Sequence, residues 1–285
     1  MSANKTHEFA FLEDFSNELS NKKLIFPTSL AATMKIRKAL SQPDISNNVI
    51  ARIIGSEPVL SAKVLHLCNT AAFNPQSRVI NDLRGATMLL GFAAVRNLAI
   101  AVGMKQLAEN KFNGTLGTQL EGLWRRSLRV SALAMVIARR HTKLSADKAM
   151  LAGLLHGIGK FYILNRAHHY QDLFTSEQIL WNLIDQWHTS IGNAILEEWD
   201  IDEDIRNAVL NHRGYRPQIG HRVTVTDVLT VADFLDAHFV ANSIEQLDLT
   251  TAHPGLNALG IEEDNLESLM QETRTELAMV MKAIN

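Results

Sequence analysis

The chain has 285 residues, of which 46% are apolar, and its 28 lysines and arginines nearly balance its 30 aspartates and glutamates. This length accommodates one large domain or two modest ones, and the apolar content is normal for a globular core, which excludes wholesale disorder. The formal net charge of −2 provides no basic excess for non-specific nucleic-acid binding. Cys68 has no second cysteine to pair with, which excludes an internal disulfide and indicates a reducing compartment.

The N-terminal segment 1–15 contains polar and acidic residues where a secretory signal peptide needs a basic start followed by an apolar stretch. Charged residues also interrupt the apolar runs, so that none is expected to reach the ~18 residues of a membrane span. We therefore expect a cytoplasmic protein that does not associate with a membrane.

Apolar residues recur at intervals of three and four along most of the chain, which indicates helices rather than strands. The helices predicted in the first half are 47–54, 59–72, 83–90 and 93–107. Ser46 is the expected N-cap of the first, and Pro58 precedes the second, where its missing N–H does no harm. Gly91 separates the last two helices. The weakest helical stretch, 113–117, is the predicted internal boundary.

Helical periodicity continues after that boundary. The helices predicted there are 120–141, 146–165, 181–199, 204–212, 226–239 and 262–284. A loop containing Pro254 is expected at 252–260. The sequence thus predicts an all-α fold, in which an N-terminal helical bundle packs on a C-terminal helical bundle.

One phrase carries chemical information: Leu-Leu-His-Gly-Ile-Gly-Lys, at residues 154–160. A histidine in such an apolar run is by itself more often a buried core residue than a ligand. The phrase, however, resembles the His-Asp-Ile-Gly-Lys signature of the HD superfamily of metal-dependent phosphohydrolases, with Gly157 where the aspartate belongs. The resemblance implies that His156 stands at a metal-ligand position.

The same resemblance assigns two further ligand positions. The first histidine of HD enzymes lies in a Trp-x-His-Ser-like phrase, which here is Trp-Arg-Arg-Ser at 124–127, with Arg126 at the histidine position. Their distant aspartate lies in a Val-x-x-Ala-Asp phrase, which is present here and ends at Asp233. Of four ligands, two are therefore replaced by Arg126 and Gly157. Because a guanidinium cannot ligate a metal and glycine has no carboxylate, we assign no catalytic residue and expect no resident metal or other cofactor.

Two more histidines lie on apolar helix faces. His188 shares its face with isoleucines four residues before and three and seven residues after it, and His212 has similar apolar neighbours. Both stand where HD enzymes with two metals have extra histidines. Either they are core histidines bonded to the backbone or to carboxylates, or they complete a residual polar pocket. The candidate pocket residues are Arg126, His156, Lys160, His188, His212 and Asp233. Such a pocket would hold an anion or a weak divalent metal; the candidate ligands of that metal are His156, Asp233, His188 and His212.

The N-terminal half resembles a particular branch of the superfamily, the HDOD (HD-related output domain) proteins. Segment 56–65 with segment 68–73 resembles their Asp-Pro-x-Leu-Ser-x-Lys-Leu-Leu and Asn-Ser-Ala phrases, and 89–98 resembles their Leu-Leu-Gly and Arg-Asn-Leu elements. Segment 188–199 matches their His-x-x-Leu-Gly-x-x-Leu-x-x-Trp run. The resemblance spans about 26–240. It departs from the family pattern at Glu57, at Thr70 and at Arg213, where a second histidine is usual.

The resemblance implies a regulatory output module of bacterial signalling, standing alone because no receiver or cyclic-dinucleotide domain accompanies it. We expect 16–115 to form the N-terminal helical subdomain of the HDOD unit. A degenerate HD-like helical subdomain is expected at 116–250, and a C-terminal loop and helix at 251–285.

Two functions follow as hypotheses. The first is a non-catalytic module that binds signalling proteins, or a nucleotide or other phosphate-containing ligand, with Arg126 and Lys160 as the cations. The alternative is a metal-dependent phosphohydrolase or phosphodiesterase with an altered ligand set. Nucleic acid is not an expected partner, because the basic pairs at 125–126 and 139–140 are short.

Overall fold

The computed structural model describes residues 2–21, 38, 45–56, 58–70, 73–76, 79–108, 114–167, 177–214, 222–241 and 253–284. Every regular element in these ranges is a helix, which confirms the all-α prediction. The helices are α1 (Ser2–Ser20), α2 (Asn47–Gly55), α3 (Pro58–Cys68), α4 (Leu83–Ala108), α5 (Thr115–His141), α6 (Ala146–Leu155), α7 (Ile158–Ala167), α8 (Glu177–Glu198), α9 (Glu203–Asn211), α10 (Val225–Ala241), α11 (Pro254–Ala258) and α12 (Glu263–Ile284).

The first half contains α2 and α3, which pack on α4. The hydroxyl of Ser46 accepts a hydrogen bond from the Val49 N–H at 3.4 Å, as expected of an N-cap. Helix α3 ends at Cys68, four residues before its predicted end at 72. The amide of Asn69 instead bonds the backbone of Ile80 twice, donating to its carbonyl at 2.8 Å and accepting from its N–H at 2.9 Å. This pairing holds Ile80 beside the end of α3.

The two helices predicted at 83–90 and 93–107 form one bent element, α4. Its bend lies at Gly91, which has φ 77° and ψ 162°, a conformation that is strained for residues other than glycine. By length and apolar composition, the segment Leu83–Gln106 of α4 could cross a membrane, contrary to the expectation from the sequence. Of its most apolar window, 61% is buried, and α4 packs against α2, α3, α5 and α6. Its burial is therefore that of a core helix.

The prediction of a single helix at 146–165 is wrong, because the chain turns at His156 and Gly157 and forms two helices, α6 and α7. Gly159 explains how α7 then packs so closely on α8. A Cβ atom at this position would lie 1.9 Å from the carbonyl oxygen of His188. The turn between α6 and α7 therefore brings His156 and Lys160 near α8.

Two further helices differ from the sequence prediction. Short helix α11 lies inside the predicted loop 252–260; the His253 ring accepts a hydrogen bond from the Gly255 N–H at 3.0 Å, and Pro254 begins the helix. Helix α1 was not predicted. Its Phe11 and Phe15 are buried against Tyr162 of α7, with ring centroids 6.4 and 5.2 Å from the tyrosine ring.

Helix α5 is the central element of the second half, packing on α6, α10 and α12. Helix α8 packs on α7 and α9, and α9 packs on α10. The first half meets this unit through α4, which contacts α5 and α6. One region is therefore surrounded by α5, the α6–α7 turn, α8, the end of α9 and α10. Each of these elements contributes at least one of the predicted site residues.

Candidate functional site

The structure brings all six predicted site residues into one region, which we name the HD pocket: Arg126, His156, Lys160, His188, His212 and Asp233. Two groups of side chains define it. The arginine–aspartate network consists of Arg126 and Arg129 from α5 with Asp233 and Asp236 from α10. The histidine cluster consists of His156, His188 and His212.

The arginine–aspartate network connects α5 to α10 through four short hydrogen bonds. Arg126 donates to Asp233 at 2.7 Å and to Asp236 at 3.1 Å. Arg129 binds Asp236 with two nitrogens, at 2.6 and 3.0 Å. The Asp236 side chain is only 1% exposed, so this carboxylate depends on the two guanidinium groups in place of water. Arg126 is thus engaged by two carboxylates.

Sequence analysis missed Arg129 and Asp236. Each follows a predicted site residue by three positions on the same helix, Arg129 after Arg126 and Asp236 after Asp233. Residues three apart share a helix face, so two facing helices with arginines and aspartates at this spacing form a ladder of ion pairs. That spacing was the available signal.

In the histidine cluster, each ring is fixed in the same way by its own helix. The Nδ1 atoms of His156, His188 and His212 lie 2.6, 2.6 and 2.9 Å from the carbonyl oxygens three or four residues earlier. A carbonyl only accepts, so each Nδ1 carries the proton, and each Nε2 of a neutral ring is left as an acceptor. The His212 ring centroid lies 5.7 Å from that of His156 and 6.3 Å from that of His188.

This arrangement contains features of both interpretations of the histidines. They are buried, with 1–3% of each residue exposed, and are bonded to the backbone as core histidines are. They also face one another and the carboxylate, because His156 Nε2 lies 3.7 Å from Asp233 Oδ1. The Nε2 atom of His188 is buried without a hydrogen-bond partner.

Burial keeps the rings neutral at pH 7. Burial lowers the pKa of His188 to about 3, and the nearby Lys160 ammonium acts in the same direction. Burial likewise lowers the pKa of His156 and of His212. For the carboxyl of Asp233, burial by itself raises the pKa, but His156 and the Arg126 guanidinium lower it by a larger amount. The net shift of its pKa is therefore downward, and the group is ionised.

Lys160 is close enough to the histidines and to Asp233 to interact with them electrostatically. Burial lowers the pKa of its ammonium, Asp233 opposes that shift, and the neighbouring Arg213 and Arg126 add to it. Arg213, which replaces a histidine of the family pattern, pairs with Asp185 at 2.9 Å. Lys160 is therefore the basic residue of the pocket that, among the described residues, forms no salt bridge with the aspartates of the arginine–aspartate network.

A metal of the HD type does not fit these residues. In the ranges that the structure describes, no group of three or more His, Cys, Asp or Glu side chains is placed to hold an ion. The Asp233 oxygen nearest to His156 is the one that Arg126 binds. A divalent ion needs several anionic or imidazole ligands, and here a permanent cation occupies the carboxylate instead.

Gly157 leaves space at the position where the HD signature has an aspartate. A Cβ atom there would make only ordinary contacts, 3.5 Å from the Ser127 hydroxyl and 3.9 Å from Phe161. The Ser127 hydroxyl is itself buried without a hydrogen-bond partner. The missing carboxylate is therefore a change of chemistry and not a consequence of tighter packing.

Comparisons with known proteins agree with this architecture. A curated Treponema pallidum protein of uncharacterised function is 24% identical over 224 residues, which are 71% of this chain and 41% of that protein. The chain thus spans less than half the length of that relative. A crystal structure of a proposed metal-dependent phosphohydrolase from Shewanella amazonensis SB2B superposes with TM-score 0.72 at 22% identity, covering 96% of this chain and 99% of that one. A proposed signal transduction protein from Marinobacter aquaeolei VT8 gives TM-score 0.59 at 15% identity, covering 100% and 66%.

The fold and the pocket define an HD-related helical domain. The HDOD domain family model matches residues 26–215, which is more than half of the chain. The chain belongs to the HDOD family, as the sequence phrases predicted. The match includes Arg126, His156, His188 and His212, whereas Asp233 lies beyond its end.

Proposed function

We propose that this protein is a non-catalytic regulatory module of bacterial signal transduction, which acts by binding a signalling protein or a small phosphate-containing ligand. The observation that carries the proposal is the engagement of Asp233 by Arg126 at 2.7 Å. A carboxylate held by a guanidinium is neutralised without a metal, and without a metal no bound water reaches a pKa near neutrality. The pocket then serves recognition and not hydrolysis.

Membership of the HDOD family and the signal-transduction description of the Marinobacter neighbour support a regulatory role. For a ligand, the pocket chemistry favours a group that accepts from Lys160 and donates to imidazole Nε2 atoms, such as a singly protonated phosphate. Arg126 contributes less than the sequence suggested, because both carboxylates of the network already bind it.

The absence of catalysis is tested by measuring the metal content of the protein and of a variant in which the two missing ligand types are restored. Protein purified without chelators or a histidine tag is expected to contain far less than one metal ion per chain and to leave phosphodiester substrates intact. The double variant Arg126→His/Gly157→Asp restores the two missing ligand types and serves as the positive control. It is expected to gain manganese or iron, measured by mass spectrometry. Stoichiometric metal and turnover in the unmodified protein would overturn the proposal.

The alternative is a metal-dependent phosphohydrolase or phosphodiesterase with a rearranged ligand set. Three neutral imidazoles with unprotonated Nε2 atoms favour it, as does the likeness to the Shewanella protein. This alternative requires turnover that disappears on His156→Ala and on His212→Ala alike. No turnover by the unmodified protein, or turnover that persists in both folded variants, would exclude it.

Ligand binding is tested separately with inorganic phosphate, adenosine nucleotides and cyclic dinucleotides, by calorimetry and thermal shift. Binding that Lys160→Ala abolishes supports a phosphate-containing ligand at the HD pocket. The exposed Lys143 supplies the matched control, because Lys143→Ala removes the same charge away from the pocket. No binding of any of these probes would leave recognition of a protein partner as the only form of the proposal to pursue.

A further inference from the structure

A second cavity, unrelated to the HD pocket, lies where the two halves of the chain meet the C-terminal helix. It has a volume of about 330 Å³ and is lined by residues from α3, α4, α5, α6 and α12. None of the six HD-pocket residues lines it. This volume is at the lower end of the range for small-molecule sites, which are typically ~300–1,000 Å³. We name it the junction cavity.

The wall of the junction cavity is mostly apolar. Three methionines from three different helices line it, Met135 of α5, Met150 of α6 and Met279 of α12. Leu98 and Ala101 of α4 also line the cavity. Thioether side chains are flexible and polarisable, so a wall made of methionines adapts to apolar ligands of differing shape.

Two of the polar side chains that line the cavity, those of Arg139 and Asn97, are bonded to other residues. Arg139 donates to Glu276 at 2.6 Å and also binds Glu272. The amide of Asn97 donates to the Asp147 backbone carbonyl at 3.3 Å. Since the one arginine in the lining is paired, the wall does not favour a charged ligand.

Helix α12 forms one side of this cavity. The part of the helix that lines the cavity is less buried than the beginning of the helix. Leu269, Met270 and Thr273 are fully buried, whereas Met279 and Val280, which line the cavity, are half-buried. The helix is fastened upstream, where Arg139 and Arg140 of α5 hold Glu272. An occupant would therefore add contacts where α12 lacks them.

We propose that the junction cavity binds a small, uncharged, mostly apolar molecule. The apolar wall, the three methionines, the paired polar groups and the incomplete packing of α12 support this chemistry. Such a ligand would contact the first half, the second half and α12 together and stabilise their junction. This binding is additional to the proposed function and does not depend on it.

The test uses N-phenyl-1-naphthylamine, an uncharged apolar fluorophore, titrated against the full chain. Saturable binding of one molecule per chain with a rise in melting temperature is expected. Ala94→Leu/Ala146→Leu adds apolar volume to two half-buried lining positions and should weaken binding at least tenfold. Ala278→Leu is the matched control, because Ala278 lies on the exposed face of α12 beside the lining residues.

Methyl NMR keeps the test decisive if the filled variant folds poorly. With ¹³C-methyl methionine, the probe should shift the signals of Met135, Met150 and Met279, while that of Met88, which is 63% exposed, stays in place. Absence of saturable binding would overturn the proposal. Equal binding by the original and the filled variant, or shifts confined to other methionines, would also overturn it.

Discussion

The two sides of the HD pocket are built on opposite electrostatic principles. In the arginine–aspartate network, charges face charges, and the buried carboxylate of Asp236 accepts from two guanidinium groups. In the histidine cluster, three rings are neutral, and helix carbonyls fix their tautomer. The two sides meet where His156 lies 3.7 Å from Asp233.

The two kinds of site differ in the cation that pairs with the carboxylate. In a metal centre, carboxylate and imidazoles share one ion, whereas here the guanidinium of Arg126 binds the carboxylates of Asp233 and Asp236. The imidazoles keep their Nε2 atoms as acceptors. The site thus consists of an ion-pair network and a cluster of neutral, buried histidines. The predictions below perturb one side at a time.

The largest effect is expected at the contact that positions His188 in the cluster. Gly159→Ala would place a methyl group 1.9 Å from the His188 carbonyl oxygen, so α7 must move away from α8. We expect a loss of about 3 kcal/mol or more in the free energy of unfolding, measured with urea. In Gly122→Ala, by contrast, the new methyl meets open space and should stabilise α5 by up to about 1 kcal/mol. Equal effects at both glycines would contradict the close approach.

The network is tested next by Asp236→Ala. The substitution removes the buried partner of Arg126 and Arg129 and should cost about 2–3 kcal/mol in the free energy of unfolding, since these arginines are only 32% and 22% exposed. The exposed pair of Asp185 with Arg213 is the matched control, and Asp185→Ala should cost less than about 1 kcal/mol. A small effect at both sites would mean that the network contributes no more than a surface ion pair does.

The histidine side is tested by acid. The folded pKa of His188 is about 3, below the ordinary value of 6.5, so the unfolded chain takes up the proton first as the pH falls. Stability is therefore unaffected above pH 6.5 and decreases below it toward pH 3, by about 1.4 kcal/mol per pH unit for such a histidine. His188→Gln should make the dependence shallower between pH 7.5 and 5.5, measured by urea unfolding.

Exposed His66 gives the control for this experiment. His66→Gln replaces an imidazole outside the histidine cluster, so a change as large as that of His188→Gln would not be due to burial of the ring. If His188→Gln and the unmodified chain lose stability in parallel, burial of this ring does not govern acid unfolding.

Sequence patterns predicted most helices because their caps and apolar faces are local. Ser46 bonds the backbone three residues ahead, and the sequence contains both partners of that bond. The missed features depend on distant residues. The turn at His156 and Gly157 fits α7 against α8, and α1 packs through Phe15 on Tyr162.

The candidate site divides in the same way. Family phrases, together with the apolar helix face that carries His212, identified six residues that the structure brings together. Which of them are bonded to one another did not follow from the phrases. That Arg126 binds Asp233, and that Asp236 joins them, depends on how α5 and α10 face each other across more than 100 residues of chain.

The smallest expected effect concerns an exposed cation beside the histidine cluster. Arg213 lowers the pKa of His188, although less than burial does, and its side chain is 47% exposed. Arg213→Ala should therefore raise the folded pKa of His188 slightly toward its unfolded value. The loss of stability should be reduced only between about pH 4 and 3, near the folded pKa, because the folded ring is uncharged at higher pH in both proteins. The measured difference from the unmodified chain should disappear at about 1 M salt, where charges several ångströms apart in solvent are screened. Because the buried contacts of Arg126 are screened much less, the effect of Asp236→Ala should persist at that salt concentration, and loss of both effects together would show that solvent reaches the two sides of the pocket equally.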